Sequence, residues 1–401
     1  MKLVVQVKLL PTPTQASALA ATLRACNEAA SWAAGMAFTH EAYSNFDLRR
    51  HTYGEVKARW GLGAQAAQHS IKKAADACTA LQARLRIRRT GGPLSQRHRP
   101  AGGKPLSFRS DAAQPYDDRM LSWQVEAGTI SIWTTSGRLK AVRITAGAEQ
   151  LALLAAHRRG ESDLLQRDGV WFLLATCEVP EAELNADPVD FLGVDLGIVN
   201  IATTSDGEIM VGRQLNRLRK RDRDLRTKLQ RKGTKSARRR IQRRRRKEAR
   251  RTRDVNHKIA KHIVAEAERT GRGIGLEDLT GIRERVRLKK PQRAMVHSWA
   301  FAQLGAFITY KARRAGVPVV YVDPANTSRT CSECGHIDKA NRTSQARFAC
   351  RSCGFVDHAD RNGSRNIRAR AQMLWRSGAP SSAPAVPHPR DGRTRATQHS
   401  Q

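Results

Sequence analysis

Acidic residues are scarce: 36 Asp and Glu stand against 72 Lys and Arg in 401 residues, a formal net charge of +36. So one-signed a chain cannot neutralise itself by internal ion pairs, and its field draws polyanions. Long apolar runs are missing as well. The opening MKLVVQVKLLPTPTQ is interrupted by Lys8 and ended by Pro11, which excludes a signal peptide. Neither a membrane span nor an amphipathic anchor follows, so no membrane partner is expected and nucleic acid is the first candidate. Ribosomal or histone-like bulk charge is the plainer alternative. Cysteines are few, seven in all, and Cys26, Cys78 and Cys177 are scattered among apolar neighbours as ordinary buried residues. Such usage suits a reducing cytosol and excludes a disulfide-built secreted fold.

The other four cysteines are not scattered. Cys331, Cys334, Cys350 and Cys353 follow C-x2-C-x15-C-x2-C, the spacing of a zinc ribbon. Gly335 and Gly354 follow the two pairs, where the backbone must turn beneath a metal. Four thiolates close a tetrahedral shell, so this Zn²⁺ would be structural. A pair of disulfides is the competing explanation.

Texture changes along the chain mark its organisation. Alternation in KLVVQVKL predicts a strand, and Thr12-Pro13-Thr14-Gln15 a capping box with proline at the first helical position. An Ala-rich helix and a second helical block, about Gly54 to Leu85, follow. From about Pro93, TISIWTTSG, RLKAVRI and DLLQRDGVWFLLATCEV alternate and are β-branched, with Asp168-Gly169 as a hairpin turn. Residues 1–10 and 95–185 thus form one β domain interrupted by helices over 11–94, and PEAELNADP is a linker. From Asp190 the pattern is α/β. Between residues 212 and 270 more than a third of the chain is Lys or Arg, with leucines and isoleucines at helical spacing and a break at Gly233. This basic helical hairpin offers Arg238, Arg239, Arg240, Arg243, Arg244, Arg245, Arg246, Lys247, Arg250 and Arg251 to phosphates; a solvated charged face is the bland alternative. A helix from Trp299 to Arg314 and the strand VPVVYVDP lead into the ribbon. After Leu374 the tail lacks apolar anchors and is expected to be disordered over 375–401.

Three acids occupy unusual places. Asp195 ends an apolar strand, Glu277 ends a second, and Asp360 precedes a helix whose positive end favours a carboxylate. A buried carboxylate needs a partner. Three from distant points of one α/β sheet can share two Mg²⁺ ions about 3.5–4 Å apart, which suits metal-dependent hydrolysis of a phosphodiester. Each acid has a simpler reading alone: turn residue, strand end, helix cap. Asp357 is a competing ligand to Asp360. VDLG followed by Asn and a strand also suits the phosphate-binding hairpin of actin-like ATPases. That alternative requires later glycine-rich loops, and none follows Gly281.

Taken in order, FLGVDLGIVNIATTSDG, GLEDLTGI, SRTCSECG…CRSCG and DHADRNGSRNI resemble the TnpB family of transposon-encoded, RNA-guided nucleases, ancestral to type V CRISPR effectors. The resemblance extends from Lys2 to about Met373. It implies a multidomain α+β fold: a wedge-type β-barrel (1–10 and 95–185), an inserted helical recognition lobe (11–94), and an RNase H-like, RuvC-type nuclease (189–326 and 357–374). A zinc ribbon (327–356) would be inserted before the last nuclease motif. It implies Asp195, Glu277 and Asp360 as the catalytic, magnesium-holding carboxylates. Guide RNA from the transposon end and double-stranded target DNA are the implied partners of a monomer in a prokaryotic cytoplasm. Gly363-Ser364 departs from the family's usual pair of alanines. A nuclease-silent RNA-guided repressor and a compact type V effector are the alternative functions.

Overall fold

The first strand, β1 (Lys2–Leu10), carries apolar residues at every second position. In the computed structural model, which describes residues 1–89, 105–279 and 301–378, Val5, Val7 and Leu9 are its buried positions. The described residues divide into two compact units, 1–179 and 180–378. In the first, β1 is central and pairs antiparallel with β5 (Gly137–Thr145) and β7 (Val170–Glu178). The full order is β2 (Gln114–Tyr116), β6 (Arg158–Arg167), β7, β1, β5, β4 (Thr129–Thr134) and β3 (Leu121–Gln124), a nearly closed, barrel-like sheet. Asp168 and Gly169, at φ +52° and +79°, make the two-residue β6–β7 turn. Positive φ at both central positions matches the right-handed twist of the strands, and Asp-Gly tolerates it best.

Between β1 and β2 lie α1 (Pro13–Thr39), α2 (Asn45–Trp60) and α3 (Ala64–Arg89). Thr12 caps α1 with the reciprocal Gln15 bond. The helical block expected from Gly54 is in fact two helices. Gly54 lies inside α2, and the break comes at Gly61, whose φ of +62° ends α2 in the left-handed region. The β domain also contains an unexpected helix, α4 (Ala148–His157). Its AEQLALLAAH is built of strong helix formers, and Leu154 is buried in the core.

The second unit has a five-stranded sheet, ordered β10 (Ile209–Val211), β9 (Asn200–Thr204), β8 (Phe191–Asp195), β11 (Gly273–Glu277) and β12 (Val319–Val322). The first three are antiparallel, whereas β8, β11 and β12 run parallel. Successive side chains of a strand point to opposite faces. Leu192, Val194, Ile274 and Leu276 therefore pack with α6 (Lys235–Arg269) and α7 (Phe301–Arg314), through Ile259, Ile263, Leu304 and Ile308. Phe191 packs on the other side with Ile367 and Ala371 of α8 (Ala359–Arg376). Positions 193, 195, 275 and 277 share that second face. Cβ atoms added at Gly193 or Gly275 would strike α8, at Ser364 and Arg368 or at Ala371 and Ile367. Two glycines thus let a helix lie directly on the strands whose ends carry Asp195 and Glu277.

Helix α8 continues to Arg376, past the Leu374 boundary expected for the tail; residues 379–401 lie outside the described residues, as does the Trp299 start expected for α7. The basic segment forms α5 (Arg213–Lys232) and α6, with Gly233 at φ +65° between them and Thr234 capping α6.

Candidate functional site

Register brings two of the acids together. Leu276 pairs with Val194, so the next residues, Glu277 and Asp195, end neighbouring parallel strands side by side. Asp360 arrives from the first turn of α8. There the His358 side chain caps the helix, its Nδ1 accepting the Asp360 backbone N–H at 3.2 Å. Gly363, one turn on, faces Asp195: an added Cβ would stand 3.2 Å from Asp195 Oδ2.

Burial, then the charges of Glu277 and Asp360, push the Asp195 carboxyl well above the usual carboxylate range. Burial also raises Glu277. Like charges held this close disfavour their own ionisation, and a bound cation would relieve that repulsion. The donor set, three carboxylates, is the hard-oxygen chemistry that Mg²⁺ takes. The oxygens are loosely spaced, however. Among the described residues only the four thiols form a group of three or more His, Cys, Asp or Glu with ligand atoms all within 4.8 Å of one another. The acids therefore suit a cation that keeps part of its water, as Mg²⁺ does, rather than a closed cage.

Three further residues touch the acids and carried no signal strong enough to single them out. Asn200 donates to Asp360 Oδ2 at 2.9 Å, and Thr327 to Glu277 Oε1 at 2.5 Å. Arg342 pairs with Asp360 Oδ1 at 3.3 Å and holds Asp195 and Glu277 toward ionisation. Arg342 is one cation among 72, which hides it in the sequence. Asp357, the competing ligand, points elsewhere: it pairs with Arg361 at 3.4 Å and Arg365 at 3.6 Å.

Cys331, Cys334, Cys350 and Cys353 converge beside β13 (Arg347–Ala349) and β14 (Val356–His358). All four are free thiols. Sγ atoms stand 3.7 Å apart for Cys331 and Cys353 and 3.6 Å apart for Cys334 and Cys350. Tetrahedral thiolates about 2.3 Å from zinc would be about 3.8 Å apart. Backbone N–H groups, that of Cys353 foremost, favour the thiolate at Cys350, whereas burial pushes the Cys331 thiol up. This cluster could hold zinc.

The ten basic candidates all lie on α6, but they do not form one set. Arg244 and Arg251 reach the buried Asp222 of α5, at 3.2 and 3.6 Å. Arg238, Arg239, Arg240, Arg243, Arg245, Lys247 and Arg250 are exposed, and Arg246 is half-buried. No helix among the described residues is long and apolar enough to cross a membrane.

Comparison with known proteins gives two family matches. A model described as the Cas12f1-like TNB domain matches residues 301–367, and one described as a probable transposase matches residues 175–280. Over 113 residues, 28% of this chain, the sequence is 38% identical to the CRISPR-associated endodeoxyribonuclease Cas12f1 of Sulfoacidibacillus thermotolerans. Over 83 residues, 20% of this chain, it is 45% identical to the TnpB-like protein MJ0751 of Methanocaldococcus jannaschii. These matches span 25% and 30% of those relatives' lengths. The fold is similar to that in the cryo-EM structure of the Cas12f1-sgRNA-target DNA complex, with a TM-score of 0.54 at 16% identity, over 87% of this chain and 82% of that one.

Proposed function

We propose that this chain, a relative of the TnpB-like and Cas12f1 proteins, is an RNA-guided, magnesium-dependent DNA endonuclease encoded by a transposon. The observation that carries the proposal is the convergence of Asp195, Glu277 and Asp360 in a protein of net charge +36. Three antiparallel strands followed by two parallel ones, with acids at the ends of β8 and β11, support an RNase H-like, RuvC-type nuclease. The barrel-like sheet and α1–α3 support a wedge domain with an inserted recognition lobe, and the thiol cluster a zinc ribbon inserted before Asp360.

The chemistry supplied by bound Mg²⁺ is activation of water and stabilisation of the leaving oxygen of a phosphodiester. The protein's own contribution is to hold the carboxylates. Asp195 and Glu277 are fixed by strand register, and Asp360 by the capped first turn of α8. Asn200 fixes Oδ2 of Asp360, whose Oδ1 faces Arg342, and Thr327 fixes Oε1 of Glu277, leaving Oε2 to a ligand. Arg342, beside all three acids, is placed to neutralise a phosphate oxygen. Exposed arginines of α6 would hold nucleic-acid backbone. Sequence would be read by pairing between guide and target, and a short adjacent motif by the protein.

Alanine at Asp195, Glu277 or Asp360 should abolish cutting of a target plasmid while guide-RNA binding stays near wild type. The triple variant should be no worse than each single one, because parts acting as a unit are not additive. Asp357→Ala should be milder. Full cutting by Asp360→Ala would remove that residue from the site.

A further inference from the structure

Thr327 stands between the thiol cluster and the acids. It is 4% exposed, and its hydroxyl lies 2.5 Å from Glu277 Oε1 and 3.1 Å from the Pro324 carbonyl. A hydroxyl has a single proton to give. The shorter contact, to an ionisable acceptor, takes it, since hydrogen bonds to charged groups are the stronger kind. Bound this way, the hydroxyl fixes the direction in which the Glu277 carboxylate faces. It also occupies one carboxylate oxygen; among the described residues no side chain donates to the other.

Thr327 is itself held by α8. Asn366 uses both amide protons, donating to the Thr327 carbonyl at 2.9 Å and the Thr330 carbonyl at 2.8 Å. Asn362, one turn earlier, donates to Thr330 at 2.8 Å and accepts the Ser332 backbone N–H at 2.9 Å. Ser332 lies between the ligand candidates Cys331 and Cys334. Asn362 is fully buried and Asn366 nearly so. The segment from Thr327 to Ser332 is therefore clamped along the face of α8 that begins with Asp360, one end at the first cysteine knuckle and the other on Glu277.

We propose that Thr327 is a positioning residue for Glu277, and that the Asn362–Asn366 clamp makes its position depend on the folded thiol cluster. The inference rests on the endonuclease function proposed above, in which Glu277 holds a divalent cation. Thr327→Val keeps the shape and removes the donor, whereas Thr327→Ser keeps the donor.

The test is a Mn²⁺ titration of the zinc-loaded, full-length chain without nucleic acid, with free Mn²⁺ read by electron paramagnetic resonance. Glu277→Gln marks the site. Thr327→Val should weaken Mn²⁺ binding about tenfold, the lower end for losing a group that orients a metal ligand. Thr327→Ser should stay within about twofold of wild type on the same scale. Zinc content and thermal midpoint should be unchanged, and guided cleavage by Thr327→Val should need correspondingly more Mn²⁺. Wild-type affinity in Thr327→Val, or a serine variant as weak as the valine one, overturns the inference while cleavage by the wild type leaves the endonuclease function standing. A wild type with no Glu277-dependent Mn²⁺ site and no guided cleavage overturns both. If Thr327→Val does not fold, Thr327→Ala against Thr327→Ser makes the same comparison, and equal affinities overturn the inference.

Discussion

An added methyl at Gly193 would meet the Ser364 carbonyl and the Arg368 amide, backbone atoms with no room to rotate away. At Gly363 the same methyl meets only the Asp195 carboxylate, which can shift by a few tenths of an ångström. Gly193→Ala should therefore cost about 3 kcal/mol, the upper end for overpacking, and Gly363→Ala less than about 1 kcal/mol. Denaturant unfolding of the two variants checks this; equal losses would contradict it. A second residue-scale prediction concerns His257. Its ring stacks on Phe307 with centroids 3.9 Å apart, and burial, then Lys311 and Arg253, lower its pKa from 6.5 to about 4. The folded state thus prefers the neutral ring. Between pH 6.5 and 4 the unfolded chain binds more protons, so stability rises with pH through that window and is lost as pH falls. NMR titration should find His257 neutral at pH 5.5, and His257→Phe should lessen the acid-induced fall in unfolding midpoint. A His257 that titrates near 6.5 contradicts the packing described.

At the scale of elements, the α5–α6 hairpin divides its cations between two tasks. Arg244 and Arg251 surround Asp222, whose side chain is 9% exposed. Removing both leaves a buried carboxylate uncompensated, which is strongly destabilising. Arg238, Arg239, Arg240, Arg243 and Arg245 face solvent. Changing those five to glutamine should leave the unfolding midpoint within error and weaken guide-RNA binding. The slope of log affinity against log salt should flatten by about 0.7 for each phosphate no longer neutralised. Arg244→Gln with Arg251→Gln should instead lower the unfolding midpoint. An unchanged salt slope in the fivefold variant returns α6 to a merely solvated face. This division was invisible in sequence, because a run of arginines does not say which of them an acid on the facing helix will claim.

For the molecule as a whole, local rules made much of the architecture legible. The alternation of KLVVQVKL, the Thr12 capping box and the Asp168-Gly169 turn each depend on a few neighbouring residues, and each appears where those residues require it. Two helix positions were decided otherwise. Gly54 is tolerated within α2 because a helix accepts one glycine at modest cost, and α4 was hidden inside a stretch dominated by strands. At the candidate site, the acids and thiols announced themselves by position and spacing. Thr327, Asn200 and Arg342 did not, since their roles arise only when α8 and the ribbon segment fold against the strand ends. If the chain works as proposed, a guide RNA directs hydrolysis at the Asp195, Glu277 and Asp360 site. The most direct measurement is cleavage of plasmid DNA by the purified chain with its guide, before and after the targeting segment of that guide is replaced. The cut should move to the sequence matching the new segment, and should vanish with EDTA or with Asp360→Ala. A cut that stays in place, or guided binding without cleavage in Mg²⁺ and Mn²⁺ alike, would contradict it.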